Sequence, residues 1–180
     1  MKIINMNTLN QSQRIQAAQM LADELSLGWP TLVEAMEEVD SRLGQTDGAV
    51  FLAAVEDDEI IGWTGILLNY DSAFELHPLV VRSDRQGKGV GRRLVDAISE
   101  VARQKGGLTL YLGADDDKSG GETSLANVNL YDDLPKRLQD FDPGTHQSAF
   151  YITCGFKVVG VIPDASGMGK PDIYMAKPLY

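Results

Sequence analysis

The sequence predicts an α+β protein. Three observations carry that expectation: two helical patterns open the chain, β-rich segments joined by an acidic turn follow, and a glycine-rich loop then stands between a strand and an amphipathic helix. With 180 residues the chain fits a single domain, 1–180, able to bury a core without disulfide or metal staples.

Ile15, Ala18, Leu21, Ala22 and Leu25 recur at helical spacing, so residues 11–26 read as the first helix, with Gly28 as its stop. Thr31 followed by Glu34 matches a capping box and opens a second helix reaching Gly44, with Leu32, Val33, Met36, Val39 and Leu43 as its apolar face. Residues 49–55 and 60–68 are β-rich and flank the acidic turn 56–59, which predicts an antiparallel hairpin. A strand at 75–81 leads into the run RQGKGVG and a helix over 91–105, whose buried face would be Leu94, Val95, Ile98, Val101 and Ala102. Gly106 and Gly107 end it. Residues 108–112 read as a short strand, 113–121 as a loop, 148–153 as a short helix, and 156–162 and 173–176 as the closing strands. Between 116 and 143 no periodicity dominates.

The formal charge of −10 repels phosphodiester backbones and attracts polycations, so nucleic acid is not an expected partner and a cationic small molecule is. The same acidity also serves solubility. No stretch approaches the roughly 18 apolar residues of a membrane span. The N-terminal MKIINMNTLNQSQ lacks the apolar core of a signal peptide. A cytoplasmic protein without membrane association is the expectation. The lone cysteine, Cys154, has no disulfide or zinc partner, in keeping with a reducing compartment.

Gln86-Gly87-Lys88-Gly89-Val90-Gly91 lies between a strand and a helix start, where backbone N–H groups without intrahelical acceptors point outward. Glycines let a phosphate approach the backbone closely, and Lys88, Arg92 and Arg93 add positive charge to an otherwise acidic chain. A purely structural tight turn is the alternative. The spacing is neither the P-loop GxxxxGK[ST] nor the dinucleotide GxGxxG.

On these residues the chain resembles the GCN5-related N-acetyltransferases, whose Q/R-x-x-G-x-G/A motif holds the pyrophosphate of acetyl-coenzyme A. Gln86 to Gly91 match that motif, and the strand LHPLVV precedes it as it does in the family. The segments ELHPLVV at 75–81, YLG at 111–113 followed by acids, FKVVGV at 156–161 and KPDIYMAK at 170–177 narrow the resemblance to the aminoglycoside 6′-N-acetyltransferases, and Trp29-Pro30 is similar to their substrate loop. Residues 115–147 depart from the pattern, with an insertion near Gly120.

The resemblance implies a mixed, mostly antiparallel sheet with flanking helices and a splayed strand pair around acetyl-coenzyme A. It implies donor contacts from Leu79, Val80, Val81, Gln86, Gly87, Lys88, Gly89, Val90, Gly91 and Arg92. It also implies homodimers and direct attack of an amine on the thioester.

An acceptor amine with a lysine-like pKa of about 10.4 is more than three units too protonated at pH 7, which costs roughly 4 to 5 kcal/mol to reverse. By resemblance Glu75 removes that proton, directly or through water, or anchors the ammonium; the two roles oppose each other, since a carboxylate beside an ammonium raises the amine's pKa. His77 shares the strand face of Glu75 and is either a second proton carrier or a structural hydrogen-bonding group. Pro78 removes a strand N–H, so a bulge is expected there, and the family uses that bulge to aim the N–H of Leu79 at the thioester oxygen. Tyr151 matches the position that protonates the departing thiolate; packing a short helix onto the core is its other reading.

By resemblance Trp29 and Tyr70 are substrate-cleft aromatics, with core packing as the other reading, and Asp115 and Asp116, with Asp117 beside them, are substrate carboxylates or a solvated acidic loop. The acids lack an EF-hand pattern, and no metal is expected. Competing activities are acetylation of polyamines or protein amines, and a coenzyme A-binding regulatory module without turnover.

Overall fold

The computed structural model describes residues 1–44 and 48–180. The chain forms two compact units, Met1–Leu108 with Leu179–Tyr180, and Thr109–Pro178. Every strand pairing described within either unit is antiparallel.

In the first unit β1 (Lys2–Asn5), β2 (Val50–Glu56), β3 (Glu59–Leu67) and β4 (Ala73–Val81) lie side by side in chain order. The predicted hairpin is β2–β3, turning through Asp57 and Asp58, both at positive φ. β1 is unannounced in the sequence because four residues are too few for a period to show. Its pairing with β2, from Lys2 opposite Val55 to Asn5 opposite Leu52, supplies the order.

Two helices pack on one face of this sheet. α1 (Gln11–Glu24) opens with a capping box in which Asn10 and Gln13 exchange hydrogen bonds. Its buried residues are Ala17, Ala18, Met20 and Leu21, so the face is rotated from the expected one and Ile15 is 43% exposed. α2 (Leu32–Gly44) carries the predicted box: Glu34 N–H donates to Thr31 Oγ1 at 3.2 Å, and Thr31 N–H to Glu34 Oε2 at 3.1 Å. Ala35 and Val39 are its buried contacts, whereas Leu32 and Val33 are exposed. Trp63 centres this core, fully buried, its indole N–H donating to the carbonyl of Ala17 at 3.1 Å.

α3 (Val90–Gln104) buries Val90, Leu94, Val95, Ile98, Ser99 and Ala102. Val90 and Leu94 form a second cluster with Ala54 and Ile61. Val101, expected on that face, is only half-buried.

In the second unit β5 (Thr109–Asp115), β6 (Lys157–Ile162) and β7 (Asp172–Pro178) run in the order β5-β7-β6, with α4 (Leu134–Gln139) and α5 (Ser148–Thr153) between β5 and β6 in the chain. β5 continues three residues past the expected end at Leu112, so Gly113, Ala114 and Asp115 are strand rather than loop. The extension comes from pairing with β7, and glycine at 113 permits it, because a Cβ there would lie 2.8 Å from the Asp172 carboxylate. α4 gave no signal because it is short and polar, with Pro135 in its first turn.

Candidate active site

The glycine loop is held from below and open above. Gln86 Nε2 donates to the carbonyl of Val81 at 2.9 Å, and Lys88 Nζ to that of Asp84 at 2.8 Å. Glu24 of α1 accepts from the N–H of Ser83 at 2.6 Å. Gly87 and Gly89 have φ of 69° and 80°, and a Cβ at either would meet nothing within 4 Å. Packing therefore does not demand glycine there; backbone conformation and access to an outside ligand do. Gly89 is the left-handed N-cap of α3 with no side-chain cap, so the N–H groups opening the helix are left for an external acceptor. Arg92 and Arg93 follow, both exposed. Uncapped N–H groups of this kind are a general anion-binding feature of helix N-termini. The Gln86 side chain thereby ties the loop to the strand before it.

β4 supplies the second part. Its residues alternate in burial along the whole strand, placing Glu75, His77, Leu79 and Val81 on the less buried face and Val80 in the core. Opposite β3, Ile66 pairs with Leu76 and Thr64 with Leu79, so two steps on one strand face three on the other. The expected bulge thus falls at His77 and Pro78, directly before Leu79.

Glu75 accepts a hydrogen bond from the side-chain amide of Asn69. His77 sits among residues of the first unit: its Nε2 is 3.8 Å from Glu38 Oε1, and its ring centroid is 6.0 Å from that of Trp29. Glu38 is also paired to Arg42 Nε at 2.7 Å. Burial, reinforced by Arg42, pushes the His77 pKa below its ordinary value, with Glu75 and Glu38 pulling the other way. His77 is therefore biased toward the neutral form. Trp29 is half-buried and packs against the first core, while Tyr70 is 66% exposed.

In the second unit Asp115 ends β5, exposed, its Oδ1 accepting from Ser166 Oγ at 2.6 Å. Asp116 is different. It is fully buried, and its carboxylate accepts from the N–H groups of Glu122 and Thr123, each at 2.8 Å to one oxygen. That carboxylate folds the 116–123 segment back on itself, which removes Asp116 from the substrate-facing set. Tyr151, in α5, is 7% exposed and packs edge-on against Phe150 and Phe156, with ring centroids 5.2 and 5.6 Å away. Burial pushes its phenol pKa up, so the hydroxyl stays protonated and donates a hydrogen bond more readily than a proton.

Asn69, Glu38 and Arg42 were not nominated by the sequence. Glu38 and Arg42 stand four apart on a helix, a legible ion pair, but nothing in the sequence directs them toward His77. A groove of about 260 Å³ lined by Gln16, Gln19, Asp23, Glu24, Glu59 and Arg82 contains none of the nominated residues. Among the described residues no cluster of His, Cys, Asp and Glu suits a metal ion, and no helix is long and apolar enough to cross a membrane.

The acetyltransferase (GNAT) family pattern matches residues 15–122, which include most of α1, all of β2 to β4, the glycine loop and α3. The chain belongs to the GNAT acetyltransferase family. This acetyltransferase is 33% identical over 107 residues to the aminoglycoside N(6')-acetyltransferase type 1 of Stenotrophomonas maltophilia, a match spanning 55% of this chain and 69% of the relative. A crystal structure of an aminoglycoside 6'-N-acetyltransferase complexed with coenzyme A matches 100% of this chain and 98% of its own, at 34% identity and a TM-score of 0.89. The aminoglycoside 6'-N-acetyltransferase from Enterococcus faecium matches with the same coverage, 35% identity and a TM-score of 0.88.

As a GNAT enzyme the protein uses acetyl-coenzyme A as its acetyl donor. That molecule supplies an activated thioester carbonyl.

Proposed function

We propose that this acetyltransferase moves an acetyl group from acetyl-coenzyme A to the 6′-amino group of an aminoglycoside by direct attack of the amine on the thioester. The observation that carries the reading is the full-length match, at 34% identity and a TM-score of 0.89, to a coenzyme A complex of an enzyme with that activity. The charge of −10, against which a polycationic sugar is attracted, supports it.

In this reading the N–H groups of the loop from Gly87 to Gly91, with Lys88 and Arg92, hold the diphosphate, and Leu79, Val80 and Val81 follow the pantetheine arm. The Leu79 N–H polarises the thioester carbonyl. Glu75, oriented by Asn69, receives the amine and its proton, and Trp29 and His77 border the sugar. Tyr151 donates a hydrogen bond to the thiolate as it departs. Tyr70 of the first unit and Asp115 of the second each contribute a contact to the amine substrate. The chain acts as one catalytic domain over 1–180, in keeping with solved relatives of which it matches 98%. It works in the cytoplasm, as a homodimer, and confers aminoglycoside resistance.

The test is a thiol-release assay with acetyl-coenzyme A and kanamycin, tobramycin, spermidine or a lysine peptide, with products identified by mass spectrometry. Single acetylation of the 6′-amines, and none of a 6′-hydroxyl analogue, is expected. A higher kcat/KM for spermidine or the peptide would replace the aminoglycoside reading by a polyamine or protein-amine one. Donor binding without turnover of any amine would leave a regulatory module.

A further inference from the structure

His146 is 3% exposed, and no step above uses it. Both ring nitrogens are engaged: Nε2 lies 3.0 Å from the backbone oxygen of Asp115, and Nδ1 lies 3.0 Å from Ser148 Oγ and 3.3 Å from Ser148 N. A backbone N–H can only donate, so Nδ1 is an acceptor and the proton sits on Nε2, from which it is donated to the Asp115 carbonyl. The same peptide group is held on its other side, where the N–H of Asp116 donates to the carbonyl of Pro171 at 2.9 Å. The plane linking residues 115 and 116 is thereby clamped at both its polar ends.

The side chain of Asp115 is held separately. Ser166 Oγ donates to its Oδ1 at 2.6 Å, and Ser166 sits in a turn closed by its own N–H on the Lys170 carbonyl at 3.1 Å and by the Gly169 N–H on Asp164 Oδ1 at 2.7 Å. Among the described residues, Oδ2 of Asp115 takes no further hydrogen bond or ion pair. An exposed aspartate at a strand end would ordinarily wander among rotamers. Here backbone plane and carboxylate are both fixed, with one oxygen left to accept.

We infer that His146 and Ser166 are positioning residues that aim the Asp115 carboxylate at an ammonium group of the substrate, and so set specificity for multiply charged amines. The inference rests on the reading of Asp115 as a substrate carboxylate. A preorganised acceptor binds an ammonium without first losing rotamer freedom, so its removal shows in KM for the amine rather than in turnover or in donor binding.

Steady-state kinetics of the full chain with acetyl-coenzyme A and kanamycin test it, using Ser166→Ala, His146→Gln, His146→Ala and Asp115→Asn. Ser166→Ala is expected to raise KM for kanamycin by roughly 3- to 10-fold, leaving kcat, KM for acetyl-coenzyme A and Tm unchanged. His146→Ala should raise it similarly, and His146→Gln, whose amide can still donate to the Asp115 carbonyl, should recover most of the loss. The serine effect should vanish in the Asp115→Asn background, because the two act through one carboxylate. If Asp115→Asn raises KM while Ser166→Ala and His146→Ala leave it unchanged, the positioning role is overturned and the Asp115 reading survives. If Asp115→Asn leaves KM unchanged, both fall. Should His146→Ala fail to fold, Ser166→Ala and the double variant decide.

Discussion

The side-chain amide of Asn69 donates to Oε2 of Glu75, tying the turn after β3 to the less buried face of β4. A carboxylate held in one rotamer can meet an incoming amine without reorganising, which is what either a base or an anchor requires.

Glu75→Gln is expected to lower kcat/KM for kanamycin by about 100-fold or more, with the affinity for coenzyme A unchanged. Asn69→Ala should cost less, on the order of 10-fold, because it loosens the carboxylate without removing it. Steady-state kinetics over a range of pH check both. A fall confined to kcat identifies proton removal, and a rise confined to KM identifies anchoring.

Gly89→Ala should harm folding and donor binding together. At φ 80° an alanine carries a backbone strain of about 1 to 2 kcal/mol, even though its Cβ meets nothing within 4 Å. Thermal unfolding should register the strain. Calorimetric titration with coenzyme A should show at least a several-fold weaker Kd, since the same backbone presents its N–H groups to the diphosphate.

Asp116→Ala should destabilise the protein by about 2 kcal/mol or more, because it leaves the N–H groups of Glu122 and Thr123 without their acceptor. Urea unfolding measures this. KM for kanamycin at temperatures well below the unfolding transition should stay near the wild-type value, in contrast to Asp115→Asn.

His77 gives stability a defined pH dependence. Its folded pKa lies below the ordinary value of about 6.5, so as pH falls through that value the unfolded chain takes up a proton that the folded chain resists. Stability contributed by the neutral, half-buried ring is therefore present above pH 6.5 and declines below it, down to the folded pKa. Urea midpoints measured between pH 5 and 8 should show this slope, and His77→Gln should flatten it.

Much of the first unit is legible in the chain because its signals are local. The Thr31–Glu34 box, the acidic turn at 56–59, the apolar face of α3 and the glycine loop each act within a few residues, and each forms where it was expected. Pro78 likewise announced the bulge in β4, since a missing N–H interrupts any ladder it enters. β1, the last three residues of β5 and α4 were not legible in this way. The first two exist by pairing with β2 and β7, distant in sequence, and α4 is too short and polar to show a hydrophobic period.

The same division runs through the site. Sequence alone determined which residues have the right chemistry: a glycine loop with the spacing to cradle a diphosphate, a carboxylate and an imidazole two apart on one strand face, and a pair of aspartates after a strand. Only tertiary structure decided what each does. Asp115 and Asp116 are identical side chains one residue apart, yet the first, at the end of β5, faces Ser166 and solvent, and the second, just beyond the strand, is buried, where backbone N–H groups satisfy its oxygens. Asn69, Glu38, His146 and Ser166 join the picture through contacts that no local pattern encodes. Identity and spacing travel along the chain, whereas burial and hydrogen-bond partners come from segments brought together by folding, and those settle protonation, orientation and role.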